Sequence, residues 1–518
     1  MYIEPNTTIK LYSGIPWDST YTDTVFFPNI TEQTFYFHEG RAKYTLSNNS
    51  YQRVERGKMR IEKKADDLYD CNYLAFQNVN FGNKWFYAFI TGVEYVNNVT
   101  SEVTFEIDTM QTYMFDVHVR QCFVERTHTT TDEIGEHIQP EPVELGEYII
   151  SDYERIMDLS SMAVIVGITD TNLSIGDLYD GIFGGLSLTA FRATDTVSIR
   201  NLINNYTANP EQVVTIYTCP KWCIVGDATI PSGGQRIDYG STGQKTNITL
   251  DNLSQETNDF GGYVPFNKKL YTYPYNFVRI DNASGDSLNL RYEFFANLTP
   301  VLEITSCITQ PVQVIARPCY YKGLGDDSLG HPTSSKTECI TLNHYPLCSW
   351  SNEAYKQWVS QKVIPLIMSS VGRIAGGAAV GGLVGGAIGA GSALLNAMSQ
   401  SYEASIKADT CRGAISDSSV NIANGYQNFY KCRCHISKDY AQVIDQFFTR
   451  YGYAVNRLMT PIKHARPHWT YVKTRGCCID GSAPADEINK MCRIYDNGIT
   501  FWAHASEVGD YTYDNRPT

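Results

Sequence analysis

The stretch YGSTGQKT at residues 239–246 carries the glycines and lysine of a loop that could cradle a phosphate. In such a loop backbone N–H groups surround the anion, and a lysine directly follows a glycine between a strand and a helix. Here Gln244 separates Gly243 from Lys245, and no clear strand or helix pattern flanks the stretch. Nucleotide chemistry is not expected. Cys219 and Cys223 in CPKWC, and Cys432 and Cys434 in CRCH, could supply thiolates to a metal, with His435, His464 and His468 as nitrogen ligands. A zinc site needs four convergent ligands at familiar spacings, which CxxxC or CxCH alone does not provide. These cysteines read as structural thiols. GxSxG and HExxH are absent, and no histidine is paired with a nucleophile. The remaining route to catalysis is a glycosidase-like carboxylate pair among the 55 acidic residues. The expectation is a non-enzymatic protein with no catalytic, cofactor-binding or metal-binding residue.

The most unusual stretch does no chemistry of that kind. Between Arg373 and Glu403 there is no charged residue, and Ile374 opens 25 residues, ending at Met398, that are apolar or small apart from Ser392 and Asn396. As an α-helix they span about 37 Å, enough for a hydrocarbon core of about 30 Å. Eight of the 25 are glycine, and each costs about 1 kcal/mol relative to alanine. An isolated helix is therefore penalised and needs partners. Gly377, Gly381, Gly385 and Gly389 fall on one i+4 row with Gly382 and Gly386 beside it, a spacing that lets backbones approach closely. Val380, Val384 and Ile388 form an apolar ridge, and Ile364, Leu366, Ile367, Val371, Ile374, Leu383, Leu394 and Leu395 extend it. The soluble alternatives are a flexible Gly/Ala-rich loop or a buried core helix. An ordinary anchor fits less well, because more than 100 residues of soluble character follow. Residues 363–400 are read as a conditional membrane segment, shielded until use.

The elements around it are rich in strand signals. The chain has 518 residues, 36 of them tyrosine, and only 19% are charged, a balance that favours sheets over long solvated helices. Its net charge of -13 excludes general affinity for phosphate backbones. No basic stretch followed by an apolar core opens the chain, so cytosolic synthesis without a secretory signal is expected. Short runs such as QTFYFHEG, KWFYAFITGVEYV and SEVTFEID predict a β domain over 1–150, with Val103, Phe105 and Ile107 on a buried face and Thr104, Glu106 and Asp108 opposite. The acidic, threonine-rich residues 127–147 predict a long arm or loop. Residues 151–300 predict a second β-rich domain through MAVIVGI, VVTIYTC, WCIVGDA and LNLRYEFFA. Residues 301–362 read as strands and a connecting helix, NEAYKQWVSQKVI. Residues 401–518 read as a helix and strands, the helix carrying Tyr440, Val443, Ile444 and Phe447 at i, i+3, i+4, i+7 and stopping at Gly452.

Four blocks closely resemble one family: LYSGIPWDSTYTDTVFF (11–27), FQNVNFGNKWFYAFITGVEYVNNVTSEVTFEIDTMQTYMFD (76–116), FFTRYGYAVNRLMTP (447–461) and YDNGITFW (495–502). It is the tail knob, or distal tail tube, family of small short-tailed bacteriophages with protein-primed DNA replication, of the Salasmaviridae/Picovirinae type. The resemblance implies a mainly β fold whose tail-tube-like domains join into a ring or barrel, a homohexamer at the distal end of the tail. It further implies an apolar loop before the C-terminal segment that plugs the tube and then engages the host membrane; residues 363–400 sit in that place. Implied partners are the other tail and collar proteins of the virion, the host cell membrane, and viral DNA in transit without specific binding. Assembly in the host cytoplasm is implied. A closed ring removes exposed sheet edges, and an acidic lumen does not hold DNA by salt bridges. The rival readings are a free pore-forming protein and a tail-associated cell-wall hydrolase.

Overall fold

The alternating runs fold as strands of mostly antiparallel sheets, so the protein is mainly β. The computed structural model describes residues 6–49, 57–169, 186–206, 213–237, 243–253, 260–308, 312–343, 345, 347–349, 413–414 and 427–517. The chain divides into two units, each discontinuous in sequence. The first comprises Met1–Gly146, Phe260–Leu270 and Lys438–Thr518; the second comprises Glu147–Asp259 and Tyr271–Ser437.

In the first unit a six-stranded antiparallel sheet runs in the order Tyr44–Asn49, Thr7–Ser13, Cys71–Gln77, Trp85–Asn97, Thr100–Ile107, Lys58–Ile61. Val103 and Phe105 are buried and Glu106 is exposed, as a period of two dictates. Asp108 departs from that alternation, because it is fully buried rather than outward-facing. Its carboxylate accepts hydrogen bonds from Trp17 Nε1 (3.1 Å) and Tyr73 OH (2.9 Å), and it caps the helix Thr109–Tyr113 through the Gln111 N–H (3.1 Å). The strand ends there because the side chain serves the next element.

Burial pushes the Asp108 carboxyl from 3.8 up to about 6, against the lowering effect of its three donors. A raised acid binds its proton more tightly in the folded state, so its stabilising effect is complete below the unfolded value and is lost as pH rises through about 6. A shift of roughly two units corresponds to about 3 kcal/mol. Urea titrations on either side of that window are expected to show a loss on going alkaline that Asp108→Asn removes. A variant with the wild-type pH slope would contradict the assignment.

The same unit holds a five-stranded sheet, ordered Asp23–Val25, Ile499–Trp502, Trp469–Arg475, Cys122–Thr127, Tyr453–Met459. Its first pair is parallel and the others antiparallel. Trp469 and Trp502, both fully buried with rings 5.3 Å apart, share one core with Tyr12, Trp17, Phe37 and Tyr73. The helix Lys438–Tyr451 forms where expected and ends at Gly452, whose N–H reaches the Phe448 carbonyl at 2.8 Å with φ +65°. A Cβ there would lie 2.4 Å from the Thr127 carbonyl carbon and oxygen, so only glycine fits.

The buried face of this helix differs from the apolar spacing. It consists of Ala441, Ile444, Asp445 and Phe448, while Val443 is 67% exposed. The physical reason is Asp445, a carboxylate on the inner face that accepts from Tyr263 OH (2.6 Å), Phe266 N (2.7 Å), Asn267 N (3.0 Å) and Asn267 Nδ2 (2.7 Å). These bonds fasten the segment Phe260–Leu270 into the unit. Residues 128–147 contain no helix or strand, yet they are not a solvated arm throughout. Glu141 is buried between Arg126 and Lys269, and Asp132 accepts from Tyr453 OH at 2.7 Å. Paired in this way, their charges tolerate burial. A further helix, Ala485–Asn497, buries Met491, Ile494 and Tyr495 and was not expected from the strand-like tail.

Among its described residues the second unit contains three sheets. One is ordered Gln235–Ile237, Leu186–Arg192, Met162–Thr169, Val213–Pro220, Leu347–Ser349, Gly413–Ala414. Ala163, Val164, Ile165 and Val166 are all buried, which explains why MAVIVGI reads as a continuous apolar run. The others are Lys245–Thr249, Val301–Cys307, Gln313–Cys319, Ile340–Leu342, and Tyr148–Arg155, Tyr430–Ile436, Asn276–Asp281, Ser287–Leu290. WCIVGDA, expected as a strand, is instead the short helix Trp222–Val225, closed by Gly226 N–H on the Trp222 carbonyl (2.9 Å). The strand before it ends at Pro220, which has no N–H to continue a ladder.

Candidate functional site

Every residue assigned to the membrane-active segment, from Ile364 to Leu395 with its six close-packing glycines, lies outside the described residues, as does NEAYKQWVSQKVI. Among the described residues no helix is long and apolar enough to cross a membrane.

The chemically suggestive side chains are placed as follows. Lys245 opens a strand, and its ammonium is ion-paired with Glu303, so it is not free to meet a phosphate. Cys219 and Cys223 are buried in the core of the second unit, where burial raises the first thiol well above its ordinary range and the second to about 12. Cys432 and Cys434 lie buried on the strand Tyr430–Ile436 against Phe277, and His435 is held by its Nδ1 contact with the Ile436 carbonyl at 2.8 Å. In the first unit His464 stacks on Phe26 and His468 pairs with Glu507 at 2.9 Å. Among the described residues no group of three or more His, Cys, Asp and Glu is arranged to hold a metal ion.

The first unit also presents an unpaired strand edge among the described residues. The strand Trp85–Asn97 is 13 residues long, whereas its neighbour Cys71–Gln77 pairs with it only as far as Tyr73↔Phe89. From residue 90 to 97 the strand is paired only with Thr100–Ile107, leaving its other edge open among the described residues. At the tip Tyr95 and Val99 are 63% and 61% exposed. An open, apolar-tipped edge is a template for another strand. The hairpin itself is legible in sequence, since GVEYVNNVTSEV carries an Asn-rich turn between two strand-like runs.

The same unit carries an aromatic groove of about 1160 Å³. The helix Ile30–His38, capped by Asn29 Oδ1 accepting the Glu32 N–H at 2.9 Å, presents Phe35 and Tyr36 to it. Phe26, Phe27, Pro28 and Pro467 complete the apolar walls. The Arg41 guanidinium lies 4.4 Å from the Tyr36 ring, and burial pushes the Tyr36 phenol up to about 12. No local run of residues announces this groove, because its walls come from both ends of the chain.

Comparison with known proteins agrees with this architecture. The family described as "Bacillus phage phi29, Tail knob protein gp9, C-terminal domain" matches residues 241–516. The family described as "Caudoviral major tail protein N-terminus" matches residues 5–118. The tail knob proteins gp9 of Bacillus phages PZA and phi29 are each 23% identical to this chain, over 98% of it and 98% of their own length. The solved bacteriophage C1 tail knob protein, gp12, has a similar fold, with a TM-score of 0.56 at 13% identity over 98% of this chain and 99% of its own. With more than half its length matched by the gp9 family, the chain belongs to the tail knob proteins of phi29-type phages, structural components of the viral tail.

Proposed function

We propose that this protein forms the distal tube of a short tail, a ring of six copies through which the genome leaves. Residues 363–400 close the tube at rest and enter the host membrane on release. Family membership supports the tail role, and the open edge of the Trp85–Asn97 hairpin carries the assembly reading. Ring closure satisfies such an edge in every copy, because a head-to-tail contact repeated around an axis leaves no terminal strand. The aromatic groove supplies apolar surface to the same purpose. A net charge of -13 suits a conduit that DNA passes through without adhering. No catalytic residue is assigned.

Electron-microscope class averages of the purified protein test the reading. A sixfold ring with a central channel closed at one end is expected, and a compact monomer would overturn it. Tyr95→Glu combined with Val99→Asp is expected to dissolve the ring at an unchanged circular-dichroism spectrum, since both side chains are exposed in the single chain. Rings that survive the double substitution would remove the hairpin from the contact.

A further inference from the structure

Three thiols distant in sequence meet in the first unit. Cys122 opens the strand Cys122–Thr127, Cys477 follows the strand Trp469–Arg475, and Cys492 lies on the helix Ala485–Asn497. Cys122 is a buried member of the aromatic core, and the half-buried Cys477 and Cys492 pack against that core. Cys477 lies two residues beyond Arg475, which pairs with Phe123 beside Cys122, and its N–H bonds Asp496 one turn beyond Cys492, so it stands between the other two thiols. The backbone holds this arrangement. Arg475 pairs with Phe123 in the sheet, and the Arg120 N–H donates to the Cys478 carbonyl at 2.8 Å. On the helix side, Asp496 Oδ1, one turn beyond Cys492, accepts from the Cys477 N–H (3.0 Å) and from Thr474 Oγ1 (2.7 Å).

We propose that Cys477 is a redox site that closes a disulfide with Cys492, and with Cys122 as the alternate partner, on exposure to a low-molecular-weight disulfide such as oxidised glutathione. The Cys477 thiolate attacks one glutathione sulfur, forming a mixed disulfide and expelling one glutathione thiolate. The Cys492 thiol gives its proton to water, and its sulfur then attacks the Cys477 sulfur and expels the second glutathione. Two protein thiols are oxidised and one glutathione disulfide is reduced to two thiols, so bonds and electrons balance. Burial holds all three thiols above their ordinary range, which makes the exchange slow at neutral pH and faster in alkali. The product staples the sheet to the helix Ala485–Asn497.

The test treats the full chain with oxidised glutathione at alkaline pH, blocks the remaining thiols with iodoacetamide, and digests with trypsin. The cysteines fall in QCFVER (121–126), GCCIDGSAPADEINK (476–490) and MCR (491–493). The expected product joins 476–490 to 491–493 and weighs two hydrogens less than their sum plus one carbamidomethyl group on Cys478, with fragmentation assigning the bond to Cys477 rather than Cys478. Cys492→Ser is expected to divert the link to 121–126, and Cys477→Ser to abolish both. Complete alkylation of Cys477 after oxidation would overturn the proposal. So would a link formed through Cys478, or the absence of diversion in Cys492→Ser, a variant that keeps the central thiol whether or not Cys477→Ser folds.

Discussion

Deletion of residues 363–400 is expected to leave ring assembly intact and to abolish the leakage of dye from liposomes under conditions that open the tube. The expectation follows from the sequence of this segment alone. No charge interrupts it from Ile374 to Met398, so its transfer into hydrocarbon meets no ionised side chain. Its glycines prevent it from being a stable lone helix, because eight of them cost about 8 kcal/mol relative to alanine. Rows of glycine at i+4 recover part of that cost when several copies pack closely, which a ring brings about. The effect is expected to be a complete loss; among the described residues no helix is long and apolar enough to cross a bilayer. Leakage by the deletion variant at the wild-type rate would sink the penetration role, and failure of the variant to form rings would assign the segment to assembly.

Asp445→Ala is expected to destabilise the first unit by about 4 kcal/mol, because four hydrogen bonds end on one buried carboxylate and each buried donor left unpaired costs about 1–3 kcal/mol. Two of those donors are backbone N–H groups, of Phe266 and Asn267, with no freedom to turn toward another acceptor. Asp445→Asn retains an acceptor oxygen but sets an amide against donors, so a smaller loss is expected. Urea unfolding followed by tryptophan fluorescence reads the change, since Trp469 and Trp502 are buried in this unit. A loss below about 1 kcal/mol would show that the donors find other partners.

The features legible in the sequence are those with a local period. Val103 and Phe105 show their buried face by alternation, and the helix ending at Gly452 shows its stop by a glycine whose position tolerates no side chain. Where a polar residue is buried by distant partners, the pattern misleads. Asp108 looks like a surface position until Trp17 and Tyr73 are brought to it, and Asp445 rotates the buried face of its helix because Phe266 and Asn267 arrive from another part of the chain. The helix Ala485–Asn497 carried its own signals, Pro484 before it and Gly498 after it, but few apolar residues mark its inner face. The overhang of the hairpin depends on where the neighbouring strand stops pairing, which no single segment encodes. The glycine rows of 363–400 are a spacing in the sequence alone, since they lie outside the described residues.

The five-stranded sheet also constrains when the protein can finish folding. Asp23–Val25 lies parallel to Ile499–Trp502, and the Trp502 indole N–H donates to Asp23 Oδ1 at 2.7 Å across 479 residues of chain. At about 5–20 residues per second, a ribosome delivers that partner roughly half a minute to a minute and a half after the first strand has emerged. Through that interval the N-terminal strand waits with an unfilled place beside it. A polypeptide released early by a nonsense codon or a stalled ribosome never completes the sheet. The parallel pair thus ties completion of this sheet to the arrival of Ile499–Trp502.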